Sequence, residues 1–148
     1  MKRRCDWVPL GDELYVRYHD EEWGFPVHED KALFEMLILQ GAQAGLSWRS
    51  ILGRRENYRE AFDHFEAEKI VKYDENKIEN LLQDKGIIRN RLKIESVVNN
   101  AVQFLKVQEK YGTFEKYIWQ FVDGETMINE WKSIEELPTK TISSEKMA

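Results

Sequence analysis

The residues best suited to chemistry begin close to the start of the chain. Trp7, Tyr15, Tyr18 and Trp23 lie among Asp6, Arg17, His19, Asp20, Glu21 and Glu22. Aromatic rings in so polar a setting are not core residues alone. A second unusual stretch is Gln40-Gly41-Ala42-Gln43-Ala44-Gly45-Leu46. Glycines inside a helical run weaken it by roughly 1 kcal/mol each, and they also let a ligand or another chain approach the backbone closely. A third is the segment 81–94, where two helical runs meet at Gly86 beside the apolar Ile87 and Ile88. Backbone N–H groups at such a corner, with the N-terminus of the second helix, can hold a phosphate without reading sequence. Lys85, Arg89, Arg91 and Lys93 surround it with positive charge. The segment reads equally as an ordinary helix corner with a solvated basic edge, because it lacks a Gly-apolar-Gly turn.

The elements that must position these residues are helices. Spacing predicts a short helix over residues 12–22, ended by Gly24 and Pro26. Asp30 is expected to cap a second helix with Leu33, Phe34, Leu37 and Ile38 on one face. Ser47 can cap a third, running through Ile51, Leu52, Tyr58 and Phe62. Asp74 caps a helix ending near Lys85, with Gly86 placed for a left-handed C-terminal residue. A long helix is expected from about Asn90 to Tyr111, with Ile94, Val97, Val98, Ala101, Phe104 and Leu105 inward. Thr113 starts another, with Phe114, Tyr117, Ile118 and Phe121 inward, and Asp123-Gly124 makes a turn. Ser133 and Glu136 have the spacing of a capping box for a short helix that Pro138 stops. Ser143 or Ser144 looks like an N-cap at a place where the sequence ends. The fold class is all-α. No repeat, low-complexity tract or linker interrupts it, so residues 1–148 read as a single helical domain.

Composition narrows the classes. With 148 residues, 42% hydrophobic and 33% charged, the chain suits one globular core. No apolar run approaches the length of a membrane span, and the basic N-terminus has no apolar segment after it, so it is not a secretory signal. Cys5 is the single cysteine, which rules out an internal disulfide and fits a reducing compartment. The expected location is cytoplasmic. The net charge of −5 argues against a chain coated in nucleic acid but leaves room for a local basic patch. Arg49, Arg54, Arg55 and Arg59, with Glu56 and Glu60 at helical spacing, read as a salt-bridged face.

Several of these segments together resemble a known family. Cys5, Trp7 and Tyr15 are followed by Tyr18-His19-Asp20-x-Glu22-Trp23-Gly24, Pro26 and Gln43-Ala44-Gly45-Leu46-Ser47-Trp48. Arg55-Glu56-Asn57-Tyr58, Gly86-Ile87-Ile88-Arg89, Trp119-x-Phe121-Val122 and Leu137-Pro138-Thr139 continue the pattern. The combination resembles the type I 3-methyladenine DNA glycosylases over essentially the whole chain.

The resemblance implies a helix-hairpin-helix glycosylase fold and a pocket for a flipped base. The implied reaction is hydrolysis of the N-glycosidic bond of 3-methyladenine in alkylated double-stranded DNA. An enzyme acting on a base must extrude it into a pocket of aromatic faces and edge-reading polar groups. Tyr18 and Gln40 are the expected catalytic residues, and Trp48, Tyr15 and Trp7 the base-binding ones. The methylated base is cationic, so a tryptophan face gains about 0.5–2 kcal/mol of cation–π attraction. The cation is also a good leaving group, and no lysine nucleophile is implied, so the reaction is monofunctional. Gly45 and Leu46 would fill the gap left in the duplex, while Gly86, Ile88, Arg89 and Lys93 would sit at a phosphate. Free 3-methyladenine is an expected ligand and a monomer the expected state.

Two departures bear on this. The family has a glutamate where this chain has Gln40; a glutamine can read adenine N6 and N7 but carries no negative charge for a cationic base. The family also binds structural zinc through an N-terminal cysteine and histidine and a C-terminal histidine and cysteine. Cys5 and His19 match the first pair, and nothing in this sequence matches the second. The expectation is half a metal site in a chain that stops before the C-terminal ligand segment. The alternative function is a glycosylase-like module that binds DNA or a damaged base with little turnover.

Overall fold

The computed structural model describes residues 3–148, and among them helices account for all the regular structure. The first helices are α1 (Glu13–Glu21), α2 (Asp30–Ala42), α3 (Trp48–Leu52) and α4 (Arg55–Ala61). They are followed by α5 (Ala67–Ile70), α6 (Glu75–Gln83), α7 (Arg91–Tyr111), α8 (Phe114–Trp119) and α9 (Ile142–Met147). Single 3-10 turns lie at Asp63–Phe65, Gln120–Val122 and Ile134–Glu136. The starts are set by short polar side chains. Asp12, Ser47, Asp74, Asn90 and Thr113 each accept a bond from a backbone N–H in the first turn that follows.

The core forms around α2, which packs on α7, α3 and α8. Phe34, Leu39, Ile51, Phe62, Ile70 and Ile94 are its largest fully buried side chains. Phe34 meets Phe104 at 4.6 Å between ring centres, and Phe104 meets Phe114 at 4.7 Å. The inward face of α2 differs from the expected one: Leu39 is buried and Leu37 faces solvent. Ile38 and Leu39 are both buried and adjacent, so the helix is covered on more than one side and a single apolar stripe does not describe it.

Asp30 also acts differently from the expectation. Glu29 is the N-cap of α2, accepting from the amides of Lys31 and Ala32. That frees the Asp30 carboxylate to point across the fold, where it accepts from the amides of Phe114 and Glu115, each at 2.8 Å, and from Gln108 Nε2 at 2.6 Å. One side chain thereby fastens the start of α2 to the end of α7 and the first turn of α8.

Three further expectations are revised. The predicted single helix after Ser47 breaks at Gly53 and Arg54 into α3 and α4. Ser133 makes no side-chain capping bond to the turn at Ile134–Glu136; Glu136 accepts instead from the amide of Lys132. The final segment does form a helix, α9, whose N-cap is Thr141; Thr141 and Ser144 make a reciprocal capping box. Residues 123–148 lie along the surface, nearly all of them exposed.

Burial pushes the Asp30 carboxyl up, but the bonds from Gln108, Phe114 and Glu115 outweigh it and hold its pKa below the ordinary carboxylate value. A depressed folded-state pKa contributes stability that is complete above the unfolded value, near 4, and fades as pH falls through the folded one. Asp30→Asn should therefore unfold in urea with a loss of about 2 kcal/mol at pH 7. The gap from the parent chain should narrow at pH 3; a gap unchanged by acid would mean that the carboxylate charge is not what fastens α8.

Candidate functional site

α1 presents Tyr15, Tyr18 and His19 at successive turns of one helical face, and Glu22 caps its end. Tyr18 is nearly fully buried, whereas Tyr15 and His19 are half-buried. The chain then turns back at Gly24, with φ of +80°, after Trp23 N–H has bonded to the Tyr18 carbonyl at 2.9 Å. Trp7 wedges between these groups, with ring centres 5.7 Å from Tyr15, 5.3 Å from His19 and 5.2 Å from Trp23. Tyr18 in turn meets Trp48, the first residue of α3, at 5.5 Å.

Gln40 and Gln43, one turn apart at the end of α2, face the same space. Trp7, Tyr15, Tyr18, Trp23, Gln40, Gln43 and Trp48 line an open cleft of about 320 Å³. Its walls are aromatic and one edge carries two amides, each able to donate and accept. The indole N–H of Trp48 is buried and has no hydrogen-bond partner. Burial, then the charge of Glu22, push the Tyr18 phenol up, so it remains a neutral donor at physiological pH.

Ion pairs hold this wall to the core. Glu35 of α2, buried to 9% exposure, accepts from Arg55 and Arg59 of α4. Arg55 reaches on to Glu22 of α1 at 2.7 Å. Burial lowers the Arg55 pKa, but Glu35 and Glu22 outweigh it and raise it overall. The arginine cluster expected to be a solvated face is therefore partly an internal brace. Its acidic partners come from α1 and α2, too far along the chain for helical spacing to reveal.

All five expected base-site residues, Tyr18, Gln40, Trp48, Tyr15 and Trp7, line the one cleft. Trp23 and Gln43 join them without having been singled out as site residues. The signals were present: Trp23 lies inside the Tyr-His-Asp-x-Glu-Trp-Gly string, and Gln43 is three residues beyond Gln40. Gly45, with φ of +74°, and Leu46 sit exposed in the loop between Gln43 and Trp48.

The 84–90 turn joins α6 to α7. Gly86 does not take the left-handed conformation expected of it; its φ is not among the positive ones. Glycine is required for close packing instead, since a Cβ there would lie 3.0 Å from the Asn57 side chain. The Gly86 N–H donates to Asp84 Oδ1 at 2.8 Å and the Ile88 N–H to the Tyr58 hydroxyl at 3.2 Å. Those two amides are thus used within the fold. The first-turn amides of α7 lack helical partners by geometry; Asn90 satisfies that of Lys93. Among the charges, Arg91 is paired with Glu75, Glu79 and Glu95. Lys93 Nζ donates to the carbonyls of Ala42 at 2.9 Å and Ala44 at 2.6 Å, closing the end of α2. Arg89 is exposed.

Cys5 and His19 do come together. The His19 Nδ1 donates to Asp20 at 2.9 Å, which leaves Nε2 as the acceptor facing the Cys5 amide at 3.4 Å. A carboxylate behind one ring nitrogen is the usual support of a metal-ligating histidine. Two donors do not make the closed four-coordinate site of structural zinc, and no group of three or more candidate ligands occurs among the described residues. The residues present do not by themselves fit the ion.

A helical domain with an aromatic cleft, amides along one edge and an exposed loop beside it defines a receptor for a flat, polar-edged ring. A sequence profile describing the methyladenine glycosylases matches residues 7–148. The chain is 41% identical to DNA-3-methyladenine glycosylase 1 of Escherichia coli (strain K12), over 98% of this chain and 77% of that one. A crystal structure of a 3-methyladenine DNA glycosylase I superposes with a TM-score of 0.93 at 43% identity, covering 98% of this chain and 79% of the other. A tyrosine-to-phenylalanine variant of such an enzyme, in complex with 3-methyladenine, superposes at 0.89 with 34% identity, covering 95% and 76%. The chain belongs to the methyladenine glycosylase family.

Lys93→Ala should loosen the loop it braces. Amide hydrogen exchange in residues 43–47 should quicken by about tenfold, the equivalent of ~1.4 kcal/mol, while the middle of α7 is unaffected. Unchanged exchange in the loop would show that the ammonium is free to serve a phosphate.

Proposed function

We infer that this chain is a DNA repair glycosylase that hydrolyses the N-glycosidic bond of 3-methyladenine in alkylated DNA. One observation carries the reading: Trp48 and Tyr18 face Gln40 and Gln43 across a single cleft, so one flat base can be stacked and edge-read at once. A base inside a duplex cannot reach such a cleft, so it must be turned out of the stack. Gly45 and Leu46, exposed at the rim, are placed to enter the gap.

The chemistry asks little of the protein. The methylated adenine carries a positive charge, and the electron pair of the breaking C–N bond neutralises it on departure. Water supplies the oxygen that bonds to the sugar carbon and releases a proton. The site must bind and orient the cation while excluding bulk water. Aromatic faces attract a cation, the Tyr18 hydroxyl can donate to the base, and Gln40 can pair with its edge.

The α6–turn–α7 segment is proposed as a helix-hairpin-helix contact to duplex DNA, with distinct parts. Gly86 and Ile88 shape the turn through Asn57 and Tyr58, Arg89 carries charge to the phosphate, and Lys93 holds the loop of Gly45 and Leu46. We propose that the protein acts as a monomer in the cytoplasm. No helix among the described residues is long and apolar enough to cross a membrane.

The test is single-turnover release of 3-methyladenine from methylated duplex DNA. Gln40→Glu should speed release by about tenfold, roughly 1.4 kcal/mol, because a carboxylate in a water-poor cleft favours the cation more than an amide does. A rate that stays the same or falls would show the glutamine already suited to the reaction. Binding of DNA without release by either form would favour the alternative of a catalytically silent module.

Zinc, if it enters, requires two ligands beyond Cys5 and His19. Metal analysis of the 148-residue chain after dialysis against a chelator should find well under one zinc per chain; a stoichiometric ion would require ligands that the described residues do not gather.

A further inference from the structure

Beside the aromatic cleft runs a second depression, an open groove of about 500 Å³ lined by Ser47, Arg49, Ser50, Gly53, Arg54, Asn57, Lys85 and Gly86. One wall is the α3–α4 corner, starting on either side of Trp48 in sequence. The other is the 84–90 turn. The groove therefore links the base cleft to the hairpin.

Its lining is cationic and polar, with no carboxylate, in a chain of net charge −5. Arg49 is paired with Asp12. Arg54 has no acidic partner among the described residues: its Nη1 donates to the Ser50 carbonyl at 2.9 Å and the Ser50 hydroxyl at 2.7 Å, which fixes the guanidinium in place. Lys85 is exposed and makes no ion pair among the described residues. The one acid beside the turn, Asp84, spends an oxygen on the Gly86 amide. Two glycines let the residues of the lining pack closely on one another. A Cβ at Gly53 would lie 2.8 Å from Arg49 Nη1, and one at Gly86 would press on Asn57. Hydroxyls and an amide side chain add donors suited to anionic oxygen.

We propose that this groove is a phosphate track for the DNA strand that carries the extruded nucleotide, with Arg54 and Lys85 as its cationic contacts. The proposal rests on the glycosylase reading. It assigns the backbone grip to the α3–α4 corner as well as to the hairpin, which follows from where uncompensated charge lies: of the hairpin's basic residues, Arg91 is neutralised and Lys93 is turned inward. A strand whose base enters the cleft lined by Tyr18 and Trp48 can then pass Ser47 and Ser50 and reach Lys85 in one continuous course.

The experiment uses a duplex oligonucleotide bearing a tetrahydrofuran abasic-site analogue, which binds without turnover. Affinity is measured by fluorescence anisotropy across a range of salt concentrations for the parent chain, Arg54→Gln, Lys85→Ala and Lys85→Glu. Each neutralised contact should flatten the slope of log K against log salt by about 0.9 and weaken low-salt binding by roughly threefold or more. Lys85→Glu should weaken it further. Quenching of tryptophan fluorescence by free 3-methyladenine should be the same in all four, which reports an intact fold and cleft. Lys85 is exposed, so its variants test the groove even where Arg54→Gln disturbs the corner. Slopes and affinities equal to the parent chain's overturn the proposal while leaving the glycosylase reading intact. A parent chain that binds 3-methyladenine but not the duplex overturns the track. If the parent chain binds neither, the glycosylase reading fails and the track with it.

Discussion

The recognition cleft depends on one buried carboxylate. Glu35 lies in the otherwise apolar side of α2 and is neutralised by Arg55 and Arg59 of α4, and Arg55 passes the attraction on to Glu22, which caps the C-terminal end of α1. Three helices distant in sequence are held together through two arginines. Such a charge is tolerable in the interior only when paired, and removing a partner typically costs about 3–5 kcal/mol. The need for it follows from how little else holds α1: Tyr18 is its one buried side chain. The arginines add to the Arg49–Asp12 pair and the Tyr18–Trp48 contact in setting the distance of the aromatic wall from the amides of α2.

A similar economy governs the other side of the cleft. The loop from Gln43 to Ser47 must be short of side chains to approach another chain, so it cannot pack itself in place. Lys93 supplies order from outside by binding the carbonyls of Ala42 and Ala44. The 84–90 turn is treated likewise, pinned by Asn57 and Tyr58 from α4. α4 thus supports the cleft at one end and the turn at the other. Arg55 serves the cleft, Asn57 and Tyr58 serve the turn, and Glu56 pairs with Arg59.

Much of this was legible in the sequence, for identifiable reasons. Helix starts follow from local chemistry, so Ser47 and Asp74 could be read as caps and Asp12, Asn90 and Thr113 as helix starts. The cleft residues stood out because aromatic and small residues were out of place in amphipathic helices. Three of the misreadings share one cause: a side chain found its partner far along the chain. Asp30 looked like a cap because its neighbour's competing carboxylate, Glu29, could not be ranked against it, and its true acceptor role involves Phe114 and Glu115. Lys93 looked like part of a basic edge because its carbonyl partners lie about fifty positions earlier. Gly86 suggested a left-handed turn, whereas the restriction comes from Asn57. Periodicity reports which face is apolar, and it carries no information on such pairings.

The way α1 is attached has a consequence for motion. Between Arg3 and Glu29 only Val8 and Tyr18 are buried, while the helices around α2 share a continuous apolar interior. Segments with few buried apolar contacts open at lower free energy than the global unfolding. The N-terminal arm is therefore the part of the chain expected to open at the lowest free energy, ahead of the body around α2.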